Sequence, residues 1–190
     1  MARQGLPARF LRTMYDDIDI LIDEATIEAK VAELAGSISR DYAGRDLLLV
    51  CVLKAAAVFT ADLMRALTIP STVEFVSVSS YRGARPGETI DVTRDIDTDI
   101  SGKHLLLVDT IVDSGRTLDL LCRRYRLRGP AGIKTVVLLD KPSHRAYDVP
   151  LDYVGFQVPD RFVIGYGLDM ADQYRNLPFI GALKTEEKPA

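Results

Sequence analysis

Two cysteines and two histidines are all that 190 residues contain. Cys51 and Cys122 lie far apart, and neither has a short ligand spacing to His104 or His144, so no zinc site is expected. Isolated thiols of this kind fit a reducing, cytoplasmic setting better than a disulfide framework. No apolar run approaches the roughly 18 residues of a spanning helix, which argues against a membrane protein. Charge of one sign is also missing, since 24 basic and 27 acidic residues leave a formal net charge of −3. That balance offers no electrostatic footprint for nucleic acid or an acidic membrane. The lysine-bearing P-loop pattern is absent, and GYGLD at 165–169 lacks the third glycine of a dinucleotide fingerprint. There is no internal repeat and no linker. These absences leave one domain over residues 1–190, with flexible ends at 1–14 and 184–190, acting on small molecules.

What is present centres on residues 104–118, HLLLVDTIVDSGRTL. Leu105, Leu106, Leu107 and Val108 form a run suited to a buried strand, and the chain then turns polar at Asp109, Thr110 and Asp113. Ser114, Gly115, Arg116 and Thr117 lead into a helix-like stretch. Where a parallel strand hands over to a helix, free N–H groups and the positive end of the helix dipole suit an anion such as phosphate. Gly115 permits close approach of the backbone, and the hydroxyls of Ser114 and Thr117 add donors.

The same alternation of apolar strand, polar junction and helix runs through the chain. Ile18 to Ile22 is a short apolar segment. Asp23 is placed to cap a helix whose Ile27, Val31, Leu34, Ala35, Ile38 and Tyr42 recur at helical spacing. LLLVCVL at 47–53 reads as a central parallel strand, with a helix over 55–67 after it. Further strands are predicted at 73–78, 133–139, 151–158 and 162–166. Residues 82–98, rich in charge and glycine, read as a long loop, and a loop of that length in a compact domain is often a functional lid. The pattern predicts an α/β fold with a central parallel sheet. Lys54, Asp113 and Lys141 then all fall at strand ends on one edge.

In order, these motifs resemble those of the type I phosphoribosyltransferases, and most closely the bacterial hypoxanthine (6-oxopurine) enzymes. Leu53-Lys54, Ser80-Tyr81, the 109–117 loop, Leu139-Asp140-Lys141-Pro142 and PDRFVIGYGLD at 159–169 carry the resemblance, which spans roughly residues 15–183. It implies helices flanking the sheet and a small hood lobe. It also implies a Mg²⁺-dependent purine-salvage enzyme that moves the 5-phosphoribosyl group from phosphoribosyl pyrophosphate to hypoxanthine, with guanine as a second base, giving IMP or GMP and pyrophosphate. By the same resemblance Asp113 is the general base. Asp109, Thr110, Asp113, Ser114, Gly115, Arg116 and Thr117 hold the phosphoribosyl group, and Lys54, Ala55 and Arg175 hold pyrophosphate. Lys141, Phe162, Val163 and Asp169 bind the purine, Asp109 and Asp169 touch the metal, and Ser80 and Tyr81 belong to a lid at 82–98. A homodimer or homotetramer is the usual assembly.

The chain departs from that pattern twice. Ala55 stands where a glycine usually follows the basic residue, in a loop that often carries a cis peptide. Thr110 stands where a second acid usually follows the first. Thr110 keeps open a second reading, a catalytically weakened nucleotide-sensing regulatory relative of the same fold.

Overall fold

A computed structural model describes residues 17–82 and 86–184. Strand β1 (Ile18–Ile22) leads to Asp23, whose carboxylate accepts the Thr26 N–H at 2.8 Å and caps helix α1 (Glu24–Asp41). Then follow β2 (Leu47–Leu53), helix α2 (Ala57–Ala66), β3 (Thr72–Arg82), β4 (Pro86–Arg94) and β5 (His104–Val112). Helix α3 (Arg116–Arg126), β6 (Gly132–Asp140), a 3-10 turn (Pro142–His144), β7 (Tyr153–Gln157), β8 (Val163–Ile164) and β9 (Ile180–Leu183) complete the order.

The main sheet runs β4-β3-β2-β5-β6-β7, parallel throughout except for the antiparallel edge strand β4. Alternation along the central strands divides the core in two. Leu47 and Leu49 of β2 and Leu106 and Val108 of β5 pack with Ile27, Val31, Leu34 and Ile38 of α1 and Phe59 and Leu63 of α2. On the other face Leu48, Val50, Leu105 and Leu107 pack with Leu118, Leu121 and Tyr125 of α3. A strand covered on both faces has no polar side to show, which is why the β2 and β5 runs are continuously apolar. Each such buried Leu or Val contributes about 1.5–3 kcal/mol. A second, antiparallel sheet, β1-β9-β8, brings the start and end of the described chain together as a small lobe beside the main sheet.

Several boundaries differ from those read in the sequence. Residues 86–94, predicted as part of a loop over 82–98, form β4, paired to β3 through Val78↔Val92 and Ser80↔Ile90. The apolar alternation of Ile90 and Val92 is short and flanked by charge, so backbone pairing rather than hydrophobic pattern makes this strand. Ala55 and Ala56 belong to the turn that holds Lys54 before α2 rather than to the helix. The strand predicted over 162–166 shortens to two residues, because the backbone enters the positive-φ region at Gly165 (94°), Tyr166 (48°) and Gly167 (94°). Strand β9 was not predicted at all. Of the ends predicted to be flexible, 1–14 and 185–190 lie outside the described residues, while the Lys184 N–H donates to the Asp17 carbonyl at 2.9 Å. No helix among the described residues is long and apolar enough to cross a membrane.

Candidate active site

The carboxyl ends of β2, β5 and β6 point their following turns into one crevice, as the order of elements requires. After β5 the chain turns at Asp113, Ser114 and Gly115, and α3 starts at Arg116. Gly115 has φ 84°, and a Cβ there would lie 3.0 Å from both the Tyr147 carbonyl oxygen and Arg145 Cδ. Glycine is therefore needed for conformation and for space. The segment after β6 clamps this turn from outside. The N–H groups of Ala146 and Tyr147 both donate to the Ser114 carbonyl at 3.0 Å, and Arg145 Nε donates to the Asp113 carbonyl at 3.2 Å. Arg145 also pairs with Asp140 at 2.5 Å.

Asp113 is exposed at the apex of the turn, and its Oδ1 lies 3.1 Å from His144 Nδ1. On its other side His144 Nε2 meets Asp160 Oδ2 at 2.9 Å, and Asp160 Oδ1 meets Lys141 Nζ at 3.1 Å. Lys141 is buried, and its N–H donates to the Val112 carbonyl at 3.0 Å. Phe162 lies nearby in sequence with 62% of its surface exposed, whereas Val163 is buried.

A second group forms between β2 and the excursion that follows β8. The Leu53-Lys54 peptide is cis, and Ala55 takes no positive φ, so the alanine fits where glycine is usual in the family it resembles. A Cβ on Gly167 would lie 2.1 Å from the Ala55 carbonyl oxygen, so the two loops meet backbone to backbone. Lys54 Nζ pairs with Asp172 at 3.1 Å. Arg175 donates to the Gly167 carbonyl at 2.8 Å and pairs with Asp169 at 2.7 Å and Asp172 at 3.2 Å. The Asp172 N–H donates to Asp169 Oδ2 at 2.9 Å. Hydrogen bonds from Lys54 and then Arg175 hold the Asp172 carboxyl below its ordinary value. Three non-glycine residues here, Ala171, Asp172 and Tyr174, have φ of 51°, 63° and 72°. Each such residue costs about 1–3 kcal/mol, and such costs gather at functional sites.

Two cavities join these groups. The larger, about 580 Å³, is lined by Lys54, Ala55, Ser77, Thr93, Asp109, Thr117, Asp169 and Arg175, among others. The smaller, about 120 Å³, is lined by Asp109 and by the turn from Asp113 to Thr117. They share Asp109 and Thr117. Asp109 is half-buried, and burial pushes its carboxyl up to about 7, only partly offset by the N–H groups of Thr110 and Ile111.

The structure thus brings Lys54, Ala55, Asp109, Asp169 and Arg175 into one chamber and Asp113, Ser114, Gly115, Arg116 and Thr117 into the next, with Lys141 linked through Asp160 and His144. Thr110 is not brought in. It is fully buried, lines neither cavity, and its hydroxyl has no hydrogen-bond partner among the described residues. Ser80 and Tyr81 lie on β3, and their side chains fall outside what is described. His144, Arg145, Asp160 and Asp172 were missed in the sequence, where nothing in spacing marks a histidine that meets a carboxylate 31 residues away.

A strand-to-helix turn with an acid at its apex thus stands beside a chamber that gathers Lys54 and Arg175 with Asp109 and Asp169 at the sheet's carboxyl edge. A phosphoribosyl transferase domain model matches residues 17–171. The chain is 44% identical over 174 residues to the hypoxanthine-guanine phosphoribosyltransferase of Bacillus subtilis, covering 90% of this chain and 96% of that one. It is 41% identical over 174 residues to the hypoxanthine phosphoribosyltransferase of Haemophilus influenzae, covering 90% and 97%. Among solved structures, the hypoxanthine phosphoribosyltransferase of Staphylococcus aureus aligns with a TM-score of 0.87 at 35% identity, covering 94% of this chain and 98% of that one. The chain belongs to the phosphoribosyl transferase domain family and, within it, to the hypoxanthine phosphoribosyltransferases.

Proposed function

We propose that the protein transfers the 5-phosphoribosyl group of phosphoribosyl pyrophosphate to N9 of hypoxanthine or guanine, releasing pyrophosphate. The observation that carries this is the shared wall of the two cavities, which sets an acid-tipped phosphate cradle beside a chamber holding Lys54 and Arg175. The 5′-phosphate fits the cradle of Ser114 to Thr117, where backbone N–H groups and two hydroxyls converge. Pyrophosphate fits the chamber, where Lys54 and Arg175 would exchange their present carboxylate partners for phosphate oxygens. As the bond from the anomeric carbon to pyrophosphate breaks, positive charge builds on the sugar and negative charge on the leaving group, and the two cations favour that separation. The new bond forms from N9, and Asp113 takes the purine N7 proton. Lys141 donates to the 6-oxo group, Phe162 stacks on the base, and Val163 and Asp169 bound its other edge.

Mg²⁺ is the cofactor this chemistry calls for. No group of three or more ligating side chains capable of holding a metal exists among the described residues. Asp109 and Asp169 nonetheless line one chamber, which suits a hard cation that takes one or two carboxylates and draws its remaining ligands from water and phosphate. Mg²⁺ would neutralise charge on the bound pyrophosphate. Strands β3 and β4 border the chamber at Ser77 and Thr93, where Ser80, Tyr81 and the 82–98 segment would cover the reactants from water. A cytoplasmic homodimer or homotetramer is the assembly that goes with this function in the family.

Incubating the protein with phosphoribosyl pyrophosphate, Mg²⁺ and hypoxanthine should yield IMP and pyrophosphate in equal amounts. Binding of phosphoribosyl pyrophosphate with no nucleotide formed would instead identify a regulatory sensor.

A further inference from the structure

We infer that His144 is a positioning residue for the reaction: it bridges the base Asp113 to Asp160 and fixes the Asp113 carboxylate for the purine. This rests on the transferase function proposed above. The geometry is a chain of three contacts from Asp113 through His144 and Asp160 to Lys141, of 3.1, 2.9 and 3.1 Å. Both imidazole nitrogens face carboxylate oxygens. A ring met at both nitrogens is fixed in plane and in direction, and so is the carboxylate oxygen it meets.

Charges meet this ring from each segment packed against it. Asp113 comes from the turn after β5, Asp160 from the loop after β7, and Lys141 reaches Asp160 from the end of β6. Arg145, next to His144, is occupied by the Asp113 carbonyl and by Asp140. Two acids thus flank the imidazole, and one of them also meets the Lys141 ammonium. Anchoring Asp113 Oδ1 on His144 leaves Oδ2 as the oxygen offered to purine N7. The same bridge connects the base to the lysine that would read the 6-oxo group, so a correctly seated purine and a correctly oriented base are set by one network. Asp113, His144 and Asp160 are all about half exposed, so the network lies at the rim of the cleft, where a ligand can reach it.

The test compares His144→Phe, which removes both donors, with His144→Arg, which keeps two donors and a fixed charge. His144→Phe should lower kcat about tenfold with the KM of phosphoribosyl pyrophosphate unchanged, a loss of one oriented charge-assisted contact. His144→Arg should recover most of kcat. Wild-type kcat in His144→Phe would overturn the inference. A second measurement needs no turnover. The chain has two histidines, so ¹⁵N spectra compared with His144→Phe identify the His144 ring directly. Its ring ¹⁵N shifts should change both in Asp160→Asn and in Asp113→Asn. Ring shifts that ignore both substitutions would refute the bridge even in an active enzyme. A ring that responds to both in a protein that makes no nucleotide would leave the bridge standing and remove the transferase reading.

Discussion

Thr110 shows how position within an element overrides residue type. As a sequence letter it stands one place after Asp109 and was expected to reach the ribose through its hydroxyl. The structure buries it completely, with an unpartnered Oγ1. A buried polar group without a hydrogen bond costs stability, and replacing it by an apolar isostere removes that cost. Thr110→Val should therefore raise the denaturation midpoint, by about 1 kcal/mol in unfolding free energy, and leave the KM of phosphoribosyl pyrophosphate unchanged. A loss of stability together with a raised KM would restore the ribose contact. Asp113 carries the opposite expectation, because it is exposed at the apex of its turn and held by His144. Asp113→Asn should cut kcat by roughly 10² while phosphoribosyl pyrophosphate binds as before, in line with the typical size of general acid-base assistance. Calorimetric titration alongside the rate assay reads both quantities. Abolished binding with kcat nearly intact would displace Asp113 from its role.

At the scale of elements, the segment after β4 is tied to α3 by one acid. Asp95 accepts from Arg124 Nε at 2.7 Å, from the Tyr125 hydroxyl at 2.9 Å and from the Ile96 N–H at 2.9 Å. Burial pushes this carboxyl up, but hydrogen bonds from Arg124, Ile96 and Tyr125 outweigh burial and hold it below its ordinary value. A carboxyl whose value is lowered by folding contributes stability that is present above the unfolded value of about 3.9 and is lost as pH falls below it. Asp95→Asn should destabilise the protein by about 1–3 kcal/mol at neutral pH, and the gap between variant and wild type should close as pH drops below about 4. Urea unfolding at a series of pH values measures this. A gap that persists unchanged in acid would assign the effect to packing instead.

How far elements could be read from the sequence depended on what makes each of them. The β2 run and the α1 stripe were legible because burial on two faces and on one face leave different periods. Asp23 was legible because a cap acts within four residues. Strand β4 was not, since a partner strand rather than a long apolar pattern holds it in place, and the apolar β9, IGAL, is only four residues long. The strand over 162–166 was drawn too long because the positive φ of Gly165, Tyr166 and Gly167 is set by close approach to other segments. A Cβ on Gly165 would lie 2.1 Å from the Phe179 carbonyl oxygen.

Over the whole molecule, the convergence of strand ends was the part of the site that sequence order could give. Lys54, Asp113 and Lys141 each follow an apolar run, and right-handed parallel crossovers send all three to one edge. Pairings that cross the cleft were beyond it. Lys54 meets Asp172 across 118 residues, and the Asp113-His144-Asp160-Lys141 chain spans loops from three strands. Those contacts exist only once the sheet has fixed the loops, and they join the turn after β5 to the loops after β6 and β7.

The central claim is that this cleft hands a phosphoribosyl group to a 6-oxopurine, with Lys141 as the donor that reads position 6. An amino group there would set a donor against a donor, which a site built for an acceptor rejects strongly. The most direct measurement is kcat/KM for hypoxanthine and for adenine in the same assay with phosphoribosyl pyrophosphate and Mg²⁺. The hypoxanthine value should exceed the adenine value by at least about 10², the equivalent of roughly 3 kcal/mol. Comparable values for the two bases, or a preference for adenine, would contradict it.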